Sequence, residues 1–232
     1  MTIITVIIDD CLNEKNGIQN LKDNSIDLGI TDPPWNISFD GATGSQGGKI
    51  KEYKGFIDKF SNYKEWCAEW FYHYKRVCKI VILACGRQNL KMWYRISDPD
   101  DIFFHFRKNG TFGSRIATFN NADVFLFYGI TKRYFNSNVF YESASTYFLR
   151  KYPNLKHPSP KNFNVWKKII EGINPNSVLD LFIGSGTTAE ISKILGIKYC
   201  LGYEINTEYK EDILFRINQV NATKSGILHW LT

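Results

Sequence analysis

A stretch near the end of the chain constrains the fold more than any other part of the sequence. Residues 177–192, SVLDLFIGSGTTAEIS, are typical of a strand that ends at Asp180, a glycine turn around Gly184, and a helix. A second strand is predicted over residues 199–203 and ends directly before Glu204. Glycines let a backbone approach a ligand closely, and the free amides at a helix start favour a negative group. This order of elements predicts a pocket for an adenosine-type ligand at the edge of a parallel sheet.

The spacing of the glycines and the acid leaves the kind of ligand open. Glu204 lies about 20 residues after Gly184, where a carboxylate binds ribose hydroxyls in dinucleotide-type sites. Nicotinamide dinucleotides bind to the same geometry. Residues 184–188, GSGTT, lack the third glycine of the dinucleotide fingerprint, however, which disfavours a nicotinamide cofactor.

Short β-branched runs alternate with helical patterns along the whole chain, as in α/β proteins with helices on both faces of a sheet. The predicted elements are strands over 3–8, 26–31, 80–84, 102–106 and 123–128, the last two as a hairpin pair, a helix over 63–79, and a helix or turn over 12–20. A chain of 232 residues can bury a full core of this kind. We therefore predict one α/β domain over residues 1–232, with a mixed, mostly parallel central sheet flanked by helices.

Residues 31–35, TDPPW, follow the second predicted strand and join a carboxylate to two prolines and an indole. Consecutive prolines fix φ and lack amide donors, so their carbonyls are rigid hydrogen-bond acceptors beside Asp32. A tight turn with a packed tryptophan is the ordinary explanation of such a stretch. On these residues alone, both explanations stay open.

The composition permits a polyanionic partner without requiring one. The chain has a net charge of +6, with 44% hydrophobic and 22% charged residues, as in ordinary globular proteins. Its five cysteines include no Cys-x-x-Cys pair, which argues against a disulfide framework and a zinc cluster. The sequence has neither the pattern of a signal peptide nor that of a membrane span. We therefore expect a soluble, cytoplasmic protein without a metal.

Two segments have features of a nucleic-acid surface. Residues 36–62 are polar and rich in glycine and lysine, which predicts a mobile loop. Residues 131–168 interleave basic and aromatic side chains, which neutralise phosphates and stack on bases in nucleic-acid-binding proteins. A solvated run of charges over packed aromatic residues explains the second segment equally well.

Four separated motifs resemble those of the beta-class DNA amino-methyltransferases of restriction-modification systems. Residues 180–188, DLFIGSGTT, resemble the cofactor motif Asp-Pro-Phe-x-Gly-Ser-Gly-Thr-Thr of that family, and residues 31–35 resemble its catalytic motif. Residues 10–12, DCL, and residues 157–161, HPSPK, resemble two further elements of the family. The catalytic motif precedes the cofactor motif, which is the order of the beta class.

The resemblance implies a Rossmann-like methyltransferase fold with S-adenosylmethionine as methyl donor and S-adenosylhomocysteine as product. Asp10 would meet the adenine, Glu204 the ribose and Phe182 the methyl-donor side. His157 and Lys161 would approach the methionine end. The residues that the resemblance assigns to the cofactor are Asp10, His157, Lys161, Asp180, Phe182, Gly184, Ser185, Gly186, Thr187 and Glu204.

The resemblance also gives a chemical role to the catalytic residues Asp32, Pro33, Pro34 and Trp35. Asp32 and the Pro33 carbonyl would accept hydrogen bonds from an exocyclic amine, which favours a pyramidal nitrogen with an available lone pair. The base must leave the duplex to reach them, so Trp35 would stack on the flipped base. Adenine N6 is the expected target, because adenine enzymes of that family favour Asp at the first motif position and cytosine enzymes favour Ser.

Cytosine N4 is the alternative target. Methylation of RNA or of a protein glutamine, and a catalytically silent nucleic-acid-binding module, are less favoured. Double-stranded DNA is the expected partner, and a homodimer and a cognate restriction endonuclease are further candidates. The 36–62 loop would order over DNA, and about residues 107–156 would hold the target-recognition region. The basic residues expected to contact DNA are Lys49, Lys51, Lys54, Lys132, Arg133, Arg150 and Lys151.

Overall fold

A nine-stranded sheet forms the centre of the computed structural model, which describes residues 1–36, 60–107, 121–142, 155–220 and 226–231. For the last range only the backbone is described. The strands are β1 (Thr2–Ile7), β2 (Ile26–Thr31), β3 (Cys78–Cys85), β4 (Asp101–Arg107), β5 (Ala122–Tyr128), β6 (Val139–Glu142), β7 (Ser177–Asp180), β8 (Tyr199–Tyr203) and β9 (Gly226–Leu231). The helices are α1 (Tyr63–Val77), α2 (Leu90–Ile96), α3 (Phe163–Ile173), α4 (Thr187–Leu195) and α5 (Lys210–Gln219), with short 3-10 turns at Ile18–Asn20, Arg87–Asn89 and Thr207–Tyr209.

The sheet is mixed and mostly parallel, as the sequence predicts. Its strands follow the spatial order β6-β4-β5-β3-β2-β7-β8-β1-β9. Among the described strands, β5 alone is antiparallel to its neighbours, β3 and β4, and all the other pairings are parallel. The carboxyl ends of the parallel strands therefore meet along one edge of the sheet.

Helices cover both faces of the sheet. On one face, α1 buries Trp70 and Tyr74 beside Trp93 of α2. On the other face, α3 and α4 bury Trp166 and Ile191. The central strand β3 is apolar along nearly its whole length, because helices cover it on both sides.

The predicted strands and the long helix are confirmed, with shifts at their ends. The prediction that α1 continues to Lys79 is wrong, because Cys78 already pairs with Ile26 of β2 as the first residue of β3. Residues 12–20 form turns and end in the 3-10 turn at Ile18–Asn20. β4 and β5 pair antiparallel, as expected of a hairpin pair. The elements α2, α3, α5, β6 and β9 are not predicted from the sequence.

Most of the two predicted DNA-facing regions lies outside the described residues. The 36–62 loop is described only at its two ends, and the 107–156 region only at Arg107, 121–142 and 155–156. Both regions, and the assignment of residues 1–232 to one domain, stay predictions. Within the part of the chain that the structure describes, every helix is too short or too polar to span a lipid bilayer.

Candidate active site

A cavity of about 300 Å³ opens at the carboxyl edge of the sheet, where β2 and β7 are neighbours. The chain leaves this point in opposite directions, because β3 lies beyond β2 and β8 lies beyond β7. Ligands of open α/β sheets bind at such switch points. The segments that follow β1, β2, β7 and β8, together with residues 157–161, bring Asp10, Asp32, His157, Lys161, Phe182 and Glu204 to this one space.

The buried Asp180 carboxylate at the end of β7 forms hydrogen bonds with three segments of the chain. Its Oδ1 accepts hydrogen bonds from the Thr31 hydroxyl at 2.8 Å and from the Phe182 amide at 3.1 Å. Its Oδ2 accepts a bond from the Thr188 hydroxyl at 2.5 Å. Burial raises the pKa of Asp180 to about 6, although these bonds act to lower it. Asp180 thus joins the end of β2 to the glycine turn and to α4.

Glu204, directly after β8, holds the glycine turn from the other side. Its Oε2 accepts a hydrogen bond from the Gly184 amide at 2.9 Å, and its Oε1 accepts one from the Asn206 amide at 2.8 Å. Burial raises the pKa of Glu204 to about 7. Because each carboxylate oxygen has further lone pairs, Glu204 can still accept bonds from hydroxyl groups in the cavity.

Two glycines of the turn adopt backbone conformations that other residues avoid. The angle φ is +52° at Gly184 and +84° at Gly186. A Cβ on Gly184 would lie 2.7 Å from Nε2 of His157, and a Cβ on Gly186 would lie 3.0 Å from the Ile213 Cα. The turn therefore packs against the 157–161 segment and against α5 with no room for a side chain.

His157 is held over the glycine turn by α5. The amides of His157 and Lys156 donate hydrogen bonds to the Asp212 carboxylate at 2.8 and 3.0 Å. The Nδ1 of His157 accepts a bond from the Ser159 amide at 3.1 Å. Burial lowers the pKa of His157 to about 3, and the charges of Lys161 and Arg216 act in the same direction. The imidazole is therefore neutral at physiological pH.

The Asp32 carboxylate lines the cavity after β2, and each of its oxygens already has a donor. Oδ1 accepts a hydrogen bond from Trp35 Nε1 at 2.6 Å, and Oδ2 forms an ion pair with the Lys161 ammonium. Burial raises the pKa of Asp32, an effect that Lys161 and Trp35 only partly offset. The carboxylate is thus fixed in orientation by two side chains of the site itself.

Hydrogen bonds from α1 and from the 3-10 turn before α2 hold the backbone after Asp32 in place. The Tyr63 hydroxyl of α1 donates a hydrogen bond to the Pro34 carbonyl at 2.7 Å. The Asn89 amide group, at the end of the 3-10 turn before α2, donates one to the Trp35 carbonyl at 2.7 Å. No described residue donates to the Pro33 carbonyl. The motif is therefore rigid, and that acceptor stays available to a ligand.

A buried ion pair lies beneath the glycine turn. Arg216 of α5 is fully buried and pairs with Glu190 of α4 at 2.8 Å. It also donates hydrogen bonds to Ser185 Oγ at 2.9 Å and to Thr187 Oγ1 at 2.8 Å. The side chains of Ser185 and Thr187 are thus bound to α5 behind the turn.

Comparison with known proteins now decides the family. Residues 26–215, most of the chain, match the family model described as DNA methylase. The chain belongs to the DNA methylase family. The predicted family of amino-methyltransferases is thereby confirmed.

Two relatives of the methylase are named as methyltransferases. The type II methyltransferase M.HpaI of Haemophilus parainfluenzae is 27% identical over an alignment of 238 positions, which covers 87% of this chain and 71% of the relative. The type II methyltransferase M1.MboII of Moraxella bovis is 43% identical over 68 residues, which cover 28% of this chain and 26% of the relative.

Solved structures show the same fold as the methylase. The M1.HpyAVI–SAM complex has a TM-score of 0.60 at 20% identity and covers 93% of this chain and 100% of that one. The cytosine-N4-specific PvuII DNA methyltransferase has a TM-score of 0.64 at 15% identity and covers 98% of this chain and 96% of that one. These likenesses confirm the predicted fold.

The structure gathers the predicted site residues of the methylase around the cavity. The lining includes the predicted residues Asp10, Asp32, Pro33, Pro34, Trp35, His157, Lys161, Phe182, Gly184, Ser185 and Glu204. Asp180, Gly186 and Thr187 support the wall from behind it. Lys161, expected at the methionine end of a cofactor, forms an ion pair with Asp32 in this structure. The individual roles of all these residues stay predictions.

The predicted DNA-contacting residues of the methylase are described at only two positions. Lys132 and Arg133 are exposed and follow β5, whose last residue Tyr128 pairs with Val81 near the start of β3. They therefore lie at the amino edge of the parallel strands, opposite the cavity, which disfavours contact with a base held there. Lys49, Lys51, Lys54, Arg150 and Lys151 lie outside the described residues.

Aromatic side chains next to these basic residues belong to the core. Phe135 packs against Phe103 and Phe127, with ring centroids 5.1 and 6.0 Å apart. Tyr134 packs against the same cluster of buried residues. For Tyr134 and Phe135, packing beneath exposed charges is the better explanation, whereas Tyr141 of β6 is exposed.

Sequence reasoning missed the charged residues behind the glycine turn. Asp212 and Arg216 lie one helical turn apart on α5, beside the buried Ile213 and Ile217. Charged side chains on the apolar face of a helix are rarely buried without a partner. That pattern was the available signal, and it would have indicated Arg216 as a structural anchor.

Proposed function

We propose that this chain transfers a methyl group from S-adenosylmethionine to the N6 amine of a flipped adenine in duplex DNA. One observation carries the proposal: a single cavity joins the Asp32 motif to the glycine turn and Glu204. Methyl transfer requires donor and acceptor to meet in line within one space. Membership of the DNA methylase family supports the class of reaction.

The cofactor side of the cavity has groups that suit S-adenosylmethionine. Asp10 and Glu204 offer acceptors for the adenosine, and the glycine turn allows close approach of the backbone. Phe182, whose ring centroid is 5.5 Å from that of Trp66, adds an apolar wall. The relative M1.HpyAVI was solved as a SAM complex. When bound, this cofactor would supply a methyl group on a positively charged sulfur.

On the acceptor side, Asp32 and the Pro33 carbonyl would hold the target amine. A carboxylate offers about four lone-pair positions, so Asp32 can accept a further bond beside those from Trp35 and Lys161. Two accepted bonds favour a pyramidal amine nitrogen and free its lone pair for attack. The amine proton would then leave through Asp32 or through water.

Adenine is the target that the chemistry of Asp32 and Trp35 favours. A carboxylate is a strong acceptor for an amine proton, and the large indole surface suits a purine. An amine inside a duplex is out of reach, so the base would be flipped and stacked on Trp35. Cytosine N4 is the second candidate, since the similar PvuII structure is that of a cytosine-N4-specific enzyme.

Partners of the chain follow from the same proposal. Relatives named type II methyltransferases support a role in restriction-modification, with a cognate restriction endonuclease as companion. A homodimer is a further proposal, which analytical ultracentrifugation with and without duplex DNA would test.

The product identifies the reaction. Purified protein is incubated with duplex DNA and labelled S-adenosylmethionine, and the DNA is digested to nucleosides for mass spectrometry. N6-methyladenine is the expected product. N4-methylcytosine as the main product would replace the adenine assignment, and absence of transfer by a protein that binds the cofactor would contradict the proposed function.

The variant Asp32→Ala tests the role of the catalytic motif. It should lower methyl transfer at least about 100-fold, because the target amine loses its main acceptor. The dissociation constant for S-adenosylmethionine should stay within about twofold of wild type, as the cofactor lies on the other side of the cavity. Equal losses in both measurements would show that Asp32 is mainly structural.

A further inference from the structure

Lys161 occupies a fixed place between the two sides of the cavity. It lies directly before the α3 N-cap Asn162, whose side chain accepts hydrogen bonds from the Asn164 and Val165 amides at 3.1 and 3.3 Å. Its ammonium forms an ion pair with Asp32 Oδ2, and the two side chains are 25% and 7% exposed. The capped helix start therefore holds Lys161 next to an almost fully buried carboxylate.

The groups around Asp32 either favour or oppose the ionised form of its carboxyl group. Burial and the Asp123 carboxylate of β5 oppose ionisation of Asp32, whereas Lys161 and the Trp35 N–H favour it. The Cys85 thiol of β3 also lies within electrostatic reach of Asp32. Asp123 itself accepts bonds from Arg107 and from the His105 ring. Lys161 is thus the cation that offsets the burial of Asp32.

We propose that Lys161 is a positioning residue for the acceptor side, which keeps Asp32 ionised and oriented toward the target amine instead of binding the cofactor. This role rests on the proposed methyl transfer. Lys161 fixes Oδ2 and Trp35 fixes Oδ1, so the carboxylate is held at both ends. Asp32 lines the cavity, and the lone pairs that remain on its oxygens can accept a hydrogen bond there from the amine of a flipped base.

A different role for Lys161 makes the opposite prediction. S-adenosylmethionine carries a carboxylate of its own, and an ammonium in the same cavity could bind that group instead. In that case loss of Lys161 would weaken cofactor binding and leave the reaction of the saturated enzyme unchanged. The two roles are therefore separated by measuring cofactor affinity and turnover on the same variants.

The test uses Lys161→Met and Lys161→Arg, with Lys167→Met as control. Lys167 of α3 pairs with Glu171 outside the cavity, so its loss changes the net charge equally without touching the site. For Lys161→Met, kcat at saturating cofactor should fall at least about tenfold. The acidic limb of its pH profile should move to higher pH, because Asp32 loses the cation that favours its ionised form.

Calorimetric titration completes this test. The dissociation constant of Lys161→Met for S-adenosylmethionine should stay within about twofold of wild type. Lys161→Arg should restore much of kcat and of the pH profile, and Lys167→Met should resemble wild type. A dissociation constant raised tenfold or more, with kcat and its pH profile unchanged, would place Lys161 at the cofactor and overturn the proposal.

A second measurement does not depend on methyl transfer. Thermal unfolding of wild type, Asp32→Asn, Lys161→Met and the double variant tests the ion pair directly. A direct pair predicts that the loss in Tm of the double variant is clearly smaller than the sum of the single losses. Additive losses would contradict the pair. If wild type methylates no DNA, the proposed function and the positioning role fall together, while this cycle still decides the ion pair.

Discussion

At the scale of single residues, two buried carboxylates hold the glycine turn, and no cation among the described residues contacts either of them. Asp180 accepts bonds from two hydroxyls and an amide, and Glu204 accepts bonds from two amides. Burial raises their pKa values to about 6 and about 7, respectively. Both groups therefore change charge close to neutral pH, where the ionised forms are the better acceptors for a ligand.

The first prediction concerns Glu204 and the affinity for the cofactor. Affinity for S-adenosylmethionine should rise as the pH increases through about 7, because ribose hydroxyls donate more strongly to the ionised carboxylate. Glu204→Gln should bind more weakly above that pH and should lose this dependence. Calorimetric titration of both proteins across the range measures the effect, and a parallel pH dependence in the two would contradict it.

The same substitution has an effect on stability whose sign follows from the raised pKa. Burial raises the pKa of Glu204 from 4.5 to about 7, so its protonated form stabilises the folded chain relative to the unfolded chain. This contribution is lost as the pH rises from about 4.5 to about 7. Glu204→Gln has no such loss. As the pH rises over this range, the free energy of unfolding of wild type should therefore fall relative to that of Glu204→Gln, by up to about 3 kcal/mol. Urea denaturation at several pH values measures this shift.

A second prediction compares two glycines at the ends of α4. Gly184→Ala should weaken binding of S-adenosylmethionine at least about tenfold, because φ is +52° and the new Cβ meets His157. Gly196→Ala is the matched control, since its φ is +70° but nothing lies within 4 Å of a Cβ there. Gly196→Ala should lose about 1–2 kcal/mol of stability because of its left-handed backbone, and Gly184→Ala should lose more, because its new Cβ also meets His157. Only the first should lose affinity; equal affinities would show that the turn tolerates a side chain.

At the scale of elements, the segment with His157 and Lys161 depends on α5. The Asp212 carboxylate accepts the amides of Lys156 and His157, so one helical side chain fixes the position of the whole segment. The ring of His157 also contacts Tyr209, with centroids 4.6 Å apart. A change on α5 therefore reaches the cavity through this segment.

The third prediction tests that connection. Asp212→Ala should lower the free energy of unfolding by about 1–3 kcal/mol, because two amides lose a charged acceptor. Cofactor affinity should fall as well. Glu211→Ala on the same helix is the control, since Glu211 pairs with the Lys156 side chain at the exposed surface, where solvent screens the pair. Similar losses in both variants, measured by urea denaturation, would contradict the role of Asp212.

Elements that the sequence predicts are those whose own pattern is strong. β3 is a long β-branched run, and α1 repeats apolar residues at helical spacing. The four residues of β6 form an edge strand within a basic and aromatic segment, too short for a pattern of its own. α2 has seven residues, of which only Trp93 is fully buried, so tertiary packing decides it.

The site is predictable in its motifs but not in its internal contacts. The glycine turn and Glu204 follow from spacing, and the catalytic residues follow from a family resemblance. The ion pair between Lys161 and Asp32 joins residues 129 positions apart, which no local pattern can show. The bond from Trp35 to Asp32 is local, yet it depends on a side-chain rotation that sequence does not determine.

At the scale of the whole molecule, the sheet has a seam between β2 and β7 that separates the catalytic motif from the cofactor side. Few residues pair across it, with Leu28 opposite Val178 and Gly29 opposite Leu179. The bond from Thr31 to Asp180 extends this seam at the cavity end. One cluster of buried residues spans both sides, so we expect the two halves to unfold together.

The fourth prediction tests this seam. Thr31→Val keeps the shape and strand preference of the side chain but removes its bond to a buried carboxylate. The free energy of unfolding should fall by about 1.5–3 kcal/mol, with one transition seen by both circular dichroism and tryptophan fluorescence. An unchanged midpoint would show that the bond does not stabilise the seam, and two separate transitions would contradict the expectation that the two halves unfold together.

Two hydrogen bonds at the carboxyl edge have a consequence for how this chain can diverge. The Phe60 amide donates to Asn36 Oδ1 at 2.8 Å, and the Arg107 amide donates to the Asn121 carbonyl at 2.9 Å. Each bond closes the ends of an intervening segment, 37–59 or 108–120. Loop closure costs only about 0.6 kcal/mol more for each doubling in length. Related genes can therefore exchange the parts that encode these two segments by recombination. The chemistry at Asp32 would be inherited unchanged.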